Sequence, residues 1–253
     1  MKSILAAVTV MLIAAAVALG DRRGLLLERN TAAAAGGGGT VAVDSQFRGD
    51  AWIYPDPIPG APAILTNTVG SGNGRLLVAT FSLSSAGSGD SVTQALAVVG
   101  TTTNAMTKAG YVRPNGSATS GEISLWYLIN PTAGNNIIYA LPNVNPDDAL
   151  IGNCTSFSNS LNSSFVVSTN QGVGTSATGT ASLSSGDMSV AVCGTGTAVG
   201  TVSATTQWKT NYSTATGAGA AACNTTNGAG TKTHTFTVTS DSWGVVVLAI
   251  PHN

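Results

Sequence analysis

The sequence predicts an all-β chain: a two-sheet antiparallel β-sandwich, jelly-roll-like, assembled from two pseudo-repeated four-strand halves. Three observations predict it. Beyond Thr40 no stretch of ten residues or more carries the 3.6-residue apolar period of an amphipathic helix. Short runs rich in Val, Ile, Leu, Thr and aromatics instead alternate with clusters of Gly, Ser, Asn and Asp, the pattern of strands and turns. The order of these runs then repeats once along the chain.

The first segment reads as an address. Met1-Lys2-Ser3 is a short positive start, residues 4–19 are apolar throughout, and Ala18-Leu19-Gly20 places small residues before Asp21-Arg22-Arg23. These are the n-region, h-region and cleavage site of a secretory signal. The run is slightly short of the ~20 apolar residues of a membrane span, and arginines after it oppose an N-in anchor. Residues 1–20 are therefore expected to be a signal peptide or, if uncleaved, a membrane anchor acting through residues 4–20. Residues 21–39 end in four alanines and four glycines and read as a flexible linker. The β-sandwich domain is expected over residues 40–253.

Within it, residues 75–83 (RLLVATFSL) form a strand between two Gly/Ser clusters, and residues 122–129 (EISLWYLI) form another that stops at Asn130-Pro131. Residues 136–141, 149–157, 165–168, 188–193, 233–238 and 243–250 follow. Residues 63–69, 93–99, 105–108 and 205–209 are further candidates. Proline removes a ladder donor, which assigns Pro131, Pro142 and Pro146 to connections. Runs apolar on both faces, such as residues 245–250, read as central strands. Residues 194–204 and 214–230, built from Gly, Ser, Thr and Ala, read as long loops.

The repeat aligns core strand, hairpin, edge strand and core strand in each half. Gly74-Arg75-Leu76-Leu77-Val78-Ala79 answers to Gly186-Asp187-Met188-Ser189-Val190-Ala191, and Met106-Thr107-Lys108 to Gln207-Trp208-Lys209. Two such units interlocking would make a jelly roll. At GRLLVATFSL, AMTKAG, LWYLINPTAG and THTFTVTSDSWGVVVLAI the chain resembles a recurring β-sandwich family of bacterial secreted proteins and phage particle proteins. The resemblance runs from about Gly74 to Asn253 and rests on structural motifs. It implies an exported or virion-surface module without assigned chemistry. Residues 41–59 lie outside its pattern and are a candidate first edge strand.

Charged residues make up 8% of the chain and the net charge is −1, so solubility rests on hydroxyls and amides. No Lys/Arg cluster exists to capture nucleic acid. His234 sits in the alternating run THTFTV, with Thr233, Thr235 and Thr237 on one face and His234, Phe236 and Val238 on the other, and reads as structural. His252 is at the terminus. No serine lies in a G-x-S-x-G elbow, and the domain's one glutamate, Glu122, has no evident carboxylate partner for glycosidase chemistry. No catalytic residue is expected.

Asp147 and Asp148, in Asn145-Pro146-Asp147-Asp148, are the candidate Ca²⁺ ligands, set against the alternative of a solvated turn because six to eight oxygens are needed. Of the three cysteines, Cys154, Cys193 and Cys223, the pair Cys193–Cys223 is preferred for a disulfide because both flank one excursion. Burial of all three as small apolar residues is the alternative. Trp126 and Trp243 lie in apolar strands and read as core. Trp52, Tyr54, Tyr111, Trp208 and Tyr212 are the candidates for an exposed contact surface. These readings lead to a non-enzymatic structural or interaction protein, displayed on a cell surface, filament or virus particle. Its partners would be copies of itself or other surface proteins. The alternative is a secreted carbohydrate-binding module.

Overall fold

The computed structural model describes residues 39–47, 51–53, 63–84, 91–116, 121–143, 149–161, 163, 165–196, 199–202, 205–214 and 217–253. The expected signal or anchor and nearly all of the expected linker lie outside them. Among the described residues the regular structure is strand throughout, apart from one 3-10 turn at Pro114–Gly116. The first half contains β1 (Ala42–Phe47), β2 (Ala51–Ile53), β3 (Ala63–Val69), β4 (Leu76–Ser84) and β5 (Ser91–Val99). It continues with β6 (Thr102–Ala105), β7 (Thr107–Val112), β8 (Glu122–Ile129), β9 (Gly134–Asn143) and β10 (Ala149–Ser158). The second half contains β11 (Val166–Leu183), β12 (Met188–Thr195), β13 (Val199–Val202), β14 (Thr205–Thr214), β15 (Gly217–Asn227) and β16 (Gly230–Ile250).

The fold is an all-β antiparallel sandwich, as the alternation of strands and turns predicts. Among the described residues its hydrogen-bonded sheets number three rather than two. One has the order β1-β10-β4-β8-β7, with β2 also paired to β10; a second runs β3-β9-β5-β6; the third runs β11-β16-β12-β15-β14, with β13 paired to β16. The first two sheets form a jelly roll on their own. Leaving out β2 and β7 and counting the other eight strands in chain order, they interleave as 1-8-3-6 and 2-7-4-5, the double Greek key of that architecture.

The second half repeats this order. Its strands β11 and β16 are long, and each passes through two layers. Residues 166–174 of β11 pair with residues 241–249 of β16, and residues 176–183 pair with residues 230–237, with an irregularity between Gly174 and Ser176. The first part of β11, the second part of β16, β12, β15 and β14 match β1, β10, β4, β8 and β7 position for position. The second part of β11, the first part of β16 and β13 match β3, β9 and β5. The repeat read in the sequence is therefore a duplication of a whole sandwich, not of a four-strand unit that needs its twin to close.

Three apolar layers hold the stack together. Leu65, Val69, Phe81, Leu83, Trp126, Ile138 and Leu150 fill the space between the first two sheets. Leu76, Val78, Ile123, Leu125 and Phe157 meet Val190, Val192, Val246, Leu248 and Ile250 between the halves. Ala177, Leu183, Cys193, Phe236, Trp243, Val245 and Val247 close the second half on itself. The sheet carrying β4 is thus covered on both faces, which is why residues 76–79 are apolar without a polar alternate and why Thr80 and Ser82 beyond them are buried as well. Burial of that kind is the dominant favourable contribution to folding.

Where the halves meet, β7 lies beside β11, β8 beside β12 and β16, β4 beside β12 and β15, and β10 beside β15. Because β15 is the counterpart of β8 and β16 the counterpart of β10, the two halves are related by a pseudo-two-fold axis passing between β4 and β12.

Several expected elements differ in extent. Residues 169–183 and 217–227 carry turn-like Gly, Ser, Asn and Ala, yet they belong to β11 and β15, and residues 199–202 form β13. The long loops expected at 194–204 and 214–230 are therefore largely strand. Pairing along the whole of β16 for β11, and with both β12 and β14 for β15, overrides weak intrinsic preference. Small residues are required in β11, because a Cβ on Gly179 would come within 2.5 Å of Val247 Cγ2 and 2.7 Å of Val245 Cγ1. Pro142 lies inside β9 rather than in a connection. It is paired with Val92 on the β5 side, two residues beyond Ala140, which is paired with Ala63 of β3. Residues 42–47 and 51–53 supply the first edge strands, β1 and β2, both against β10.

Candidate functional site

Strand alternation places Glu122, Ser124 and Trp126 on one face of β8, and the pairing of β7 brings Lys108 opposite Trp126 and Tyr111 opposite Ser124. A bulge between Lys108 and Gly110 inserts Ala109 and keeps Lys108 and Tyr111 on that same face. Lys108 Nζ donates to Glu122 Oε1 at 2.9 Å, and Glu122 is only 2% exposed. The ammonium lies 4.9 Å from the centroid of the Trp126 ring and 5.2 Å from that of Tyr111, within cation–π range. Trp126 is buried and its Nε1 donates to Ser124 Oγ at 3.2 Å. Tyr111, by contrast, is 55% exposed. The result is an ion pair half-covered by two rings, open to solvent on the Tyr111 side, at the edge of a sheet.

Of the five aromatic candidates, the four in described residues lie on three different strands. Trp52 pairs through β2 with Leu150 at one edge of the β4 sheet, whereas Tyr111 lies on β7 at the opposite edge, beyond β10, β4 and β8. Trp208 and Tyr212 belong to β14 of the third sheet, opposite Cys223 and Gly219 in the backbone register. Tyr54, Asp147 and Asp148 lie outside the described residues. Among the described residues no group of three or more His, Cys, Asp or Glu side chains is placed to hold a metal ion. No helix there is long and apolar enough to cross a membrane. Trp126 and Trp243 are both buried, as expected of core positions.

Three further ionisable groups among the described residues are committed to internal contacts. His234 is fully buried between the layers of the second half, with Nε2 2.8 Å from Ser189 Oγ. Burial, which disfavours the charged imidazolium, holds its pKa down at about 4. Asp187, in the turn between β11 and β12, accepts from His252 Nδ1 at 2.8 Å, from the His252 backbone N–H at 3.0 Å and from the Ser184 N–H at 2.7 Å. Burial pushes its pKa upward, but the His252 and Ser184 contacts outweigh it and hold the carboxyl below its ordinary value. Asp44 accepts from the Gly70 N–H at 2.6 Å and from Ser156 Oγ at 3.0 Å, pinning β1 to the end of β3.

Cys154 and Cys193 are free, buried thiols, and burial raises both pKa values well above the usual thiol range. The preferred Cys193–Cys223 bridge is not formed. Cys223 has Val192 as its cross-strand partner, and Val192 faces the inter-half layer whereas Cys193 faces the layer inside the second half.

Lys108 and Glu122 were not among the residues expected to form a site. The period-2 pattern of EISLWYLI already puts Glu122 on the Trp126 face; what no sequence pattern supplies is the register that sets Lys108 against it. The chain matches no family model, no curated protein and no solved structure.

Proposed function

We propose that the protein is a non-enzymatic exported module, displayed on a cell surface, filament or virus particle, that works by contact through its sheet edges. One observation carries this reading. Among the described residues, three of the four exposed large apolar side chains, Tyr111, Val166 and Val173, sit on β7 and β11. These are the free edges of two sheets and lie side by side on one flank. An edge strand presents unpaired N–H and C=O groups to another chain, and exposed apolar side chains beside such an edge add burial to the backbone pairing. The engagement of Asp44, Asp187, Glu122 and His234 in structural contacts supports the same reading. So do the apolar start of the chain and the resemblance to exported and particle-borne β-sandwich proteins.

The test is fractionation of the native source with intact mass measured on each fraction. Recovery in a membrane or a high-molecular-weight particle supports display. Recovery only as a free, monomeric protein of the cell interior would overturn it.

A further inference from the structure

The duplication offers an internal control for which side chains the sandwich needs. Shared register assigns the counterparts. Trp126 lies opposite Ala79 and Asn224 opposite Ala191; Glu122 opposite Leu83 and Ala220 opposite Thr195; Ser124 opposite Phe81 and Ala222 opposite Cys193. One strand further out, Lys108 answers to Thr206 and Tyr111 to Lys209, and both halves carry the bulge at the same place. The same architecture is therefore built in the second half with Thr206, Ala220, Ala222, Asn224 and Lys209 where the first half has Lys108, Glu122, Ser124, Trp126 and Tyr111. The fold does not call for the cluster.

The cluster is also costly. A carboxylate with 2% exposure loses its hydration and is tolerated only when paired and hydrogen-bonded. Alanine, the counterpart, avoids that cost altogether. A buried ion pair kept in one half of a duplicated sandwich, beneath an exposed ring at an open edge, has the composition of a recognition site.

We propose that Tyr111 and Lys108, its ammonium held by Glu122, bind a neutral sugar ring; the inference rests on the contact-module reading and gives that edge a ligand. Tyr111 offers an exposed aromatic face, against which the C–H face of a pyranose packs. Lys108 carries three N–H donors, and Glu122 is its one hydrogen-bond partner among the described residues, so two donors remain for ring hydroxyls at the edge of the stacked sugar. Glu122 neutralises the ammonium from below, so the pair carries no net charge toward a ligand, which suits neutral hydroxyls better than a charged group.

The test uses the full chain in saturation-transfer NMR with the methyl pyranosides of glucose, galactose, mannose and N-acetylglucosamine and their linear oligosaccharides. Saturable transfer strongest at ring C–H protons is expected, with affinity falling about tenfold in Tyr111→Ala, the scale of one lost aromatic contact. Tyr111 is exposed, so this variant retains the fold. Lys108→Thr combined with Glu122→Ala copies the second half and is expected to abolish binding with the unfolding midpoint nearly unchanged. No saturable transfer from any sugar of the panel, or undiminished affinity in Tyr111→Ala, would overturn the proposal. Either result leaves the particle or membrane fractionation unaffected, so failure of the sugar site is distinguishable from failure of the display reading.

Discussion

Gly194 and Gly244 are cross-strand partners on β12 and β16, and the Ile123 side chain of the opposing sheet fills the space their missing Cβ atoms leave. A Cβ on Gly194 would lie 2.5 Å from Ile123 Cγ1, and one on Gly244 would lie 3.0 Å from Ile123 Cδ1 and 2.7 Å from Val112 Cγ1. This corner is where β8 of the first half comes closest to the second. Neither glycine has an unusual φ, so close approach alone accounts for both.

Overpacking that corner is expected to separate the halves locally. Gly194→Ala should cost about 1–3 kcal/mol, measured by urea unfolding. Ile123→Ala should itself cost about 2–5 kcal/mol through its cavity. The double variant should be less destabilised than the sum of the two, because the shortened Ile123 makes room for the new methyl. Strict additivity would show that Ile123 does not occupy this space.

His234 sets a pH window for stability. Its folded pKa of about 4 lies below the ordinary value of 6.5, so the unfolded chain binds the proton first. Stability is full above pH 6.5 and falls as pH drops toward 4, by about 3 kcal/mol at 1.36 kcal/mol per unit. His234→Phe combined with Ser189→Ala should flatten the stability curve between pH 6.5 and 4. The slope is the readout, whatever the absolute stability of the variant.

The contact between Asp187 and His252 works in the same direction, lower on the scale. A carboxyl whose pKa is held below its ordinary 3.8 contributes stability present above that value and lost as pH falls through the folded pKa. Asp187→Asn at pH 7 should cost about 1–2 kcal/mol. Deleting residues 251–253 should cost a similar amount. The two changes together should cost little more than either alone, since each removes the same tether.

For the ion pair, Lys108→Met alone should destabilise by about 3–5 kcal/mol, because it leaves Glu122 buried without its partner. Adding Glu122→Ala should recover most of that loss. A denaturation cycle over the four proteins measures the recovery, and its absence would mean that Glu122 does not depend on Lys108.

Thiol chemistry follows from burial. Cys154 and Cys193 should stay unmodified by iodoacetamide in the native protein and react on unfolding, as read by peptide mass spectrometry. Detection of a Cys193–Cys223 peptide would contradict the register of β12 and β15.

Much of this was legible residue by residue. The strand at residues 122–129 and the one at 63–69 have the predicted bounds because alternation and a turn signal coincide at their ends. Trp243 and His234 are buried because the residues that follow them on the same face, Val245 and Val247 or Phe236 and Val238, are apolar. In contrast, β15 hid behind alanine and glycine, and β11 behind Gly and Ser. Their small residues answer to the closeness of a facing layer, as Gly179 shows against Val247 and Val245. The Met106-Thr107-Lys108 and Gln207-Trp208-Lys209 correspondence also proved three residues out, because the strand register sets Lys108 against Thr206 and Tyr111 against Lys209.

The sequence by itself determined the fold class, most strand positions, the existence of a duplication and the absence of a recognisable catalytic motif, because those depend on local periodicity and turn chemistry. The tertiary structure alone decided that each half is a sandwich, that the halves stack about a pseudo-two-fold axis, and that Lys108 reaches Glu122 beside Tyr111. Those outcomes depend on strand order and register, which are selected by packing between residues far apart in the chain and leave no signature within any single run.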